Sequence, residues 1–159
     1  MKQRISIIII ALALAAQAGH ARGFDRVFDE FRKNDNVMYM SIPPFLTWLG
    51  KTIGGVGDMP IVNKAKSVKM LIADDCSDSF ATRFNERVAA AGGECEELVR
   101  IFSDGDILRL WMEAKGDKIK KLVILTTSDS DCMLLELKGN FKKSDIAEFI
   151  NESIEKKKR

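Results

Sequence analysis

Histidine is almost missing from this chain: His20 is the only one among 159 residues. Catalytic sets of the Ser-His-Asp or Cys-His kind and zinc sites built on histidine are therefore excluded. Cysteine is scarce too. Cys76, Cys95 and Cys132 are an odd set without Cys-x-x-Cys spacing, so at most one intramolecular pair can form and no redox motif is present. Only three prolines occur, which sets aside collagen-like and proline-rich classes. No apolar run reaches the roughly 20 residues that a membrane-spanning helix needs. Charge of one sign is missing as well, with 25 Lys+Arg against 23 Asp+Glu. What remains, 46% apolar and 30% charged residues, is the composition of one globular domain rather than a disordered chain.

Lys2 and Arg4 precede the apolar run Ile5 to Ala16, which ends in Ala16-Gln17-Ala18. That pattern predicts a secretory signal peptide over residues 1–18, cut before Gly19, with a second site before Arg22. The expected product is a single exported domain, 19–159, periplasmic or secreted and without a transmembrane anchor. Losing Lys2 and Arg4 leaves 23 basic and 23 acidic residues, a net charge of zero. Four of those bases form the tail Lys156-Lys157-Lys158-Arg159, so the body between is slightly acidic. Nucleic acid is excluded as a partner on this ground, because phosphate binding needs a clustered basic face.

Phe24, Val27, Phe28 and Phe31 recur at helical spacing. Val37–Ile42 reads as a strand, and Pro43-Pro44 opens a second apolar helix through Phe45, Leu46, Trp48, Leu49 and Ile53. A glycine-rich loop follows, 54–63; Gly50-Lys51-Thr52, upstream in the helical segment, has Phe45 where a phosphate-binding loop needs its earlier glycine. Ser67–Ala73 is a strand, and 77–91 is a helix burying Phe80, Phe84 and Val88 that Gly92-Gly93 should close in the left-handed conformation. From there the period changes to two. Four runs, 96–102, 107–113, 119–126 and 132–138, are separated by short turns and predict an antiparallel meander. A last helix, capped by Ser144, should bury Ile146, Phe149, Ile150 and Ile154. The fold class is α+β: a largely antiparallel sheet ending in a four-strand meander, with helices packed mainly on one face.

The meander is apolar on both faces. If Leu108, Leu110, Met112, Leu122 and Ile124 face the helices, then Ile107, Trp111, Val123, Leu125 and Leu134 face the other way. That second face must be covered, either within the chain by the first two helices or the long loop, or by a protein partner or second copy. Cys76 precedes a helix, where the dipole favours a thiolate, but Asp74, Asp75 and Asp78 oppose it; Cys95 and Cys132 fall on strands and read as packed or paired. Aspartates gather in three turns, Asp74/Asp75/Asp78, Asp104/Asp106 and Asp129/Asp131, where local turn chemistry accounts for them. They match no calcium loop, and no metal or cofactor site is expected. Asn151-Glu152-Ser153 is a glycosylation sequon inside the last helix.

The runs Ser67-Val68-Lys69-Met70-Leu71-Ile72, Glu97-Leu98-Val99-Arg100-Ile101 before Asp104-Gly105, Lys118 to Leu125, and Leu135-Glu136-Leu137-Lys138-Gly139-Asn140-Phe141 resemble the bacterial exported domain of unknown function 4252. The resemblance implies an exported α+β domain and carries no catalytic residue across. The expected function is a non-enzymatic cell-envelope binding or interaction domain. The alternative is a thiol-dependent or acid/base hydrolase using Cys76 or the loop aspartates.

Overall fold

A computed structural model describes residues 23–44 and 61–158. The expected signal peptide, the helix through Phe45–Ile53, Gly50-Lys51-Thr52 and most of the glycine-rich loop lie outside the described residues. Elements run α1 (Gly23–Phe31), β1 (Val37–Ile42), β2 (Ala65–Ala73), α2 (Asp78–Ala91), β3 (Glu96–Ser103), β4 (Asp106–Lys115), β5 (Lys118–Thr127), β6 (Cys132–Phe141) and α3 (Lys143–Lys158). The six strands form one antiparallel sheet in the order β1-β2-β6-β5-β4-β3, so the chain is α+β and β3 to β6 form the meander.

Turn chemistry sets the meander's register. Asp104 (φ 51°) and Gly105 (φ 88°) both sit in the left-handed region, as a two-residue hairpin turn matched to strand twist requires. Gly116 (φ 62°) does the same between Lys115 and Lys118. Pairing partners in an antiparallel sheet share a face. One row therefore crosses all six strands through Met38, Ile72, Met133, Thr126, Leu108 and Ile101. The next row on that face contains Met40, Met70, Leu135, Ile124, Leu110 and Val99.

Each face carries its own core. On one, α1 and α2 press Phe24, Phe28, Phe31, Phe84 and Val88 onto Leu71, Trp111, Val123, Leu125 and Leu134. Phe31 makes edge contacts with Phe80 and Phe84 at ring distances of 5.4 and 4.9 Å, an arrangement that adds to plain area burial. Arg83 and Arg87 of α2 reach Glu30 of α1 at 3.9 and 3.7 Å. On the other face, α3 sets Ile146, Phe149 and Ile150 against Met70, Leu110, Leu122, Ile124, Leu135 and Leu137.

The face of Trp111, Val123, Leu125 and Leu134 is covered within the chain, by α1 and α2, and Trp111 is 2% exposed. Three expectations need correction. Gly92 ends α2 with φ −76°, not in the left-handed region; its role is steric, since a Cβ there would sit 2.5 Å from Nε1 of Trp111. The start of α3 is held by Asp145, not Ser144: its Oδ2 accepts from the Lys142 backbone N–H at 2.9 Å, and its Oδ1 meets Lys64 Nζ at 2.5 Å. Ile154 is 38% exposed, at the border of a small apolar cleft that it lines with Val99, Ile101 and Leu108.

At the β3–β4 edge, Arg109 forks onto Glu97 at 2.7 and 3.0 Å while Arg100 also bonds it, and the Arg109 guanidinium lies 4.6 Å over the Trp111 ring. The hydrogen bonds from Arg100 and Arg109 pull the Glu97 carboxyl down to about 2. A folded value below the unfolded 4.5 means that this contribution is complete above pH 4.5 and lost as pH falls through about 2. In thermal melts, Glu97→Gln should therefore lower Tm near pH 7 and converge on the parent near pH 2. A constant gap across that range would contradict this.

Candidate functional site

Three aspartate-bearing turns are far apart in sequence, but the strand order gathers them. The end of β2, the start of β6, the end of β5 and the start of β4 lie side by side at one end of the sheet, through the pairs Ala73–Cys132, Cys132–Thr127 and Thr127–Ile107. Asp75 (φ 52°) takes the left-handed conformation, which aspartate tolerates, and reverses the chain after β2. The Cys76 backbone N–H then donates to the Ser130 carbonyl at 2.7 Å, tying the β2–α2 loop to the β5–β6 turn. That turn is closed by Ser128 N–H donating to the Asp131 carbonyl at 2.9 Å.

Between this end of the sheet and α3 lies a groove of about 610 Å³. Its floor is Ile72, Leu108, Ile124, Met133 and Leu135, and Phe149 of α3 forms a wall. Its rim carries Asp74, Asp106, Asp131 and Glu152, one carboxylate from each of the three aspartate turns and one from α3. Among the described residues, no lysine or arginine lines it. The volume falls within the range of pockets that hold drug-sized ligands, and an apolar floor with a few polar groups at its edge is their usual chemistry.

Methionine is concentrated on this face. Met40, Met70, Met112 and Met133 belong to its core, and Met38 shares a row with Ile72 and Met133 while 57% exposed. Flexible, polarisable thioethers let such a surface reshape around varied apolar groups.

Of the residues singled out in the sequence, Ile107, Cys132, Asp74, Asp106 and Asp131 line the groove. Trp111, Val123, Leu125 and Leu134 lie in the core beneath α1 and α2. Asp75, Asp78, Asp104 and Asp129 are not among its lining residues. Cys76 Sγ donates to the Ala73 carbonyl at 3.3 Å, and Ala73 is the strand partner of Cys132. Burial, then the Cys76 thiol, pushes Cys132 up to about 12, and burial also raises Cys95 near Lys121 and Glu113, so neither is a thiolate at neutral pH. Among the described residues, no three His, Cys, Asp or Glu side chains come together as a metal ion requires. No helix among them is long and apolar enough to cross a membrane.

Sequence reasoning missed Ile72, Met133, Phe149 and Glu152 as groove residues. The first two were visible only as strand residues; Phe149 and Glu152 sit one helical turn apart on α3, which placed them on one face without showing what that face meets.

A family model described as a domain of unknown function (DUF4252) matches residues 31–149. The match takes in the whole sheet and every groove residue except Glu152. No curated protein matches the chain.

Proposed function

We propose that this chain, which belongs to the DUF4252 family, is an exported, non-enzymatic binding domain whose groove takes an apolar polypeptide segment bearing lysine or arginine. The signal-peptide pattern of residues 1–18 supports export to the periplasm or beyond. The observation that carries the binding reading is the pairing of an apolar floor with a rim of four carboxylates and, among the described residues, no cation. Those carboxylates come from four separate elements. A ligand with a single cationic head would meet one of them, whereas spaced basic side chains on a peptide meet several. Apolar side chains entering the floor supply affinity, and the charged rim supplies orientation and association rate.

The test is titration of the protein with a short fluorescent peptide alternating leucine and lysine, and with its glutamate counterpart, followed by polarisation. The lysine peptide should bind with a Kd in the micromolar range, weakening about tenfold when Asp74→Asn, Asp131→Asn and Glu152→Gln are combined, which is about 1.4 kcal/mol. The glutamate peptide should not bind. Equal binding of both peptides, or no effect of the triple variant, would overturn the charge argument; no binding of either would overturn the reading.

A further inference from the structure

Three observations bring two of the cysteines together. Ala73 and Cys132 are paired across β2 and β6, the Cys76 thiol donates back to the Ala73 carbonyl at 3.3 Å, and the Cys76 backbone N–H holds Ser130 at 2.7 Å, two residues before Cys132. Cys132 is fully buried and Cys76 half-buried. Cys95 sits elsewhere, near Lys121 and Glu113. Those two belong to a strand rank six residues from the Thr127–Cys132 pair, or roughly 20 Å along the sheet. Of the three possible pairings, only one is within reach.

We propose that Cys76 and Cys132 close a disulfide when the protein meets a small-molecule or protein disulfide, leaving Cys95 as the free thiol. The half-buried Cys76, as thiolate, attacks one sulfur of the external disulfide, whose S–S bond breaks and releases one thiolate. Cys132 then gives up its proton and attacks the Cys76 sulfur, expelling the second thiolate. Two protein thiols are oxidised by two electrons, and the external disulfide is reduced to two thiols. The high value of the Cys132 thiol gives the reduced form no thiolate stabilisation, which favours a lasting structural bond over a readily reduced catalytic one.

The bond would also fasten the loop carrying Asp74 to the turn carrying Asp131, fixing the spacing of two rim carboxylates. That consequence rests on the proposed groove; the bond itself does not.

The experiment equilibrates the purified protein with oxidised glutathione under native conditions, alkylates it and maps the peptides by mass spectrometry. The expected result is a single alkylated thiol at Cys95, a linked pair of peptides containing Cys76 and Cys132, and a Tm about 10 °C above that of the reduced protein. Cys95→Ser should still close the bond, whereas Cys76→Ser and Cys132→Ser should not. Three alkylated thiols, a glutathione adduct persisting on Cys76, or any pairing through Cys95 would overturn it. Because no ligand enters this measurement, its failure is distinct from failure of the binding reading.

Discussion

Trp111→Ala is expected to destabilise the protein by about 3–5 kcal/mol in denaturant unfolding, the range for deleting a large buried aromatic. Trp111 lies on a strand face that the sequence alone leaves open to a partner, but here it is sandwiched. Phe24 of α1 is 6.0 Å away between ring centres, the Arg109 guanidinium lies over its ring, and Gly92 closes the remaining side. A loss under 1 kcal/mol would mean that α1 and α2 do not cover this face in solution. Gly92 gives an internal control. Its backbone is in the ordinary helical region, so alanine fits the dihedrals, yet a Cβ would lie 2.5 Å from the indole nitrogen. Gly92→Ala should cost about 1–3 kcal/mol by overpacking. In the Trp111→Ala background that cost should vanish, giving a coupling energy of similar size.

Lys69→Met is expected to cost about 3 kcal/mol at neutral pH, at the low end for breaking a buried ion pair. Glu136 is 2% exposed beneath α1, and Lys69 lies between it, at 3.7 Å, and Asp25 of α1, at 2.5 Å. Lys138 remains 3.6 Å from Glu136, which keeps the loss from being larger. Burial works against both Asp25 and Lys69, but their hydrogen bond prevails, lowering Asp25 and raising Lys69. Asp25 therefore contributes fully above its unfolded value of 3.8 and loses that contribution as pH falls below it; Lys69 contributes until pH rises past 10.5. Glu136→Leu should remove most of the penalty of Lys69→Met, because no buried charge is then left unpaired. If Lys69→Met cost the same in both backgrounds, the penalty would lie in packing rather than in the stranded carboxylate.

Local pattern made much of this fold legible. Phe24, Val27, Phe28 and Phe31 mark α1 because helical spacing and burial coincide there. The meander is legible because Asp104-Gly105 and Gly116 carry the backbone conformations that hairpins need. What local pattern does not hold is which neighbour covers which face. Both faces of β4 and β5 are apolar, so alternation alone cannot say that Trp111 meets α1 and α2 while Leu110 meets α3. The groove is invisible for a related reason. Asp74, Asp106 and Asp131 are each ordinary turn residues, and only the placement of β6 between β2 and β5 unites them. The methionines at 38, 40, 70, 112 and 133 have no sequence period, yet register puts them on one face. Cys76 and Cys132 become neighbours through that same non-sequential pairing of β2 with β6. Ser144 has the residue type of a cap, but it lies inside α3, and it is Asp145 whose carboxylate accepts from the Lys142 backbone N–H and from Lys64.

The groove as a binding site is tested most directly by the methionine ε-methyl signals of carbon-13-labelled protein, followed during titration with the leucine–lysine peptide. The account predicts shifts at Met133, which lines the groove, and at Met38 beside it in the same row, with Met112 at the far end of β4 unmoved. Shifts confined to Met112, or no shift at Met133 when the peptide is bound, would contradict it.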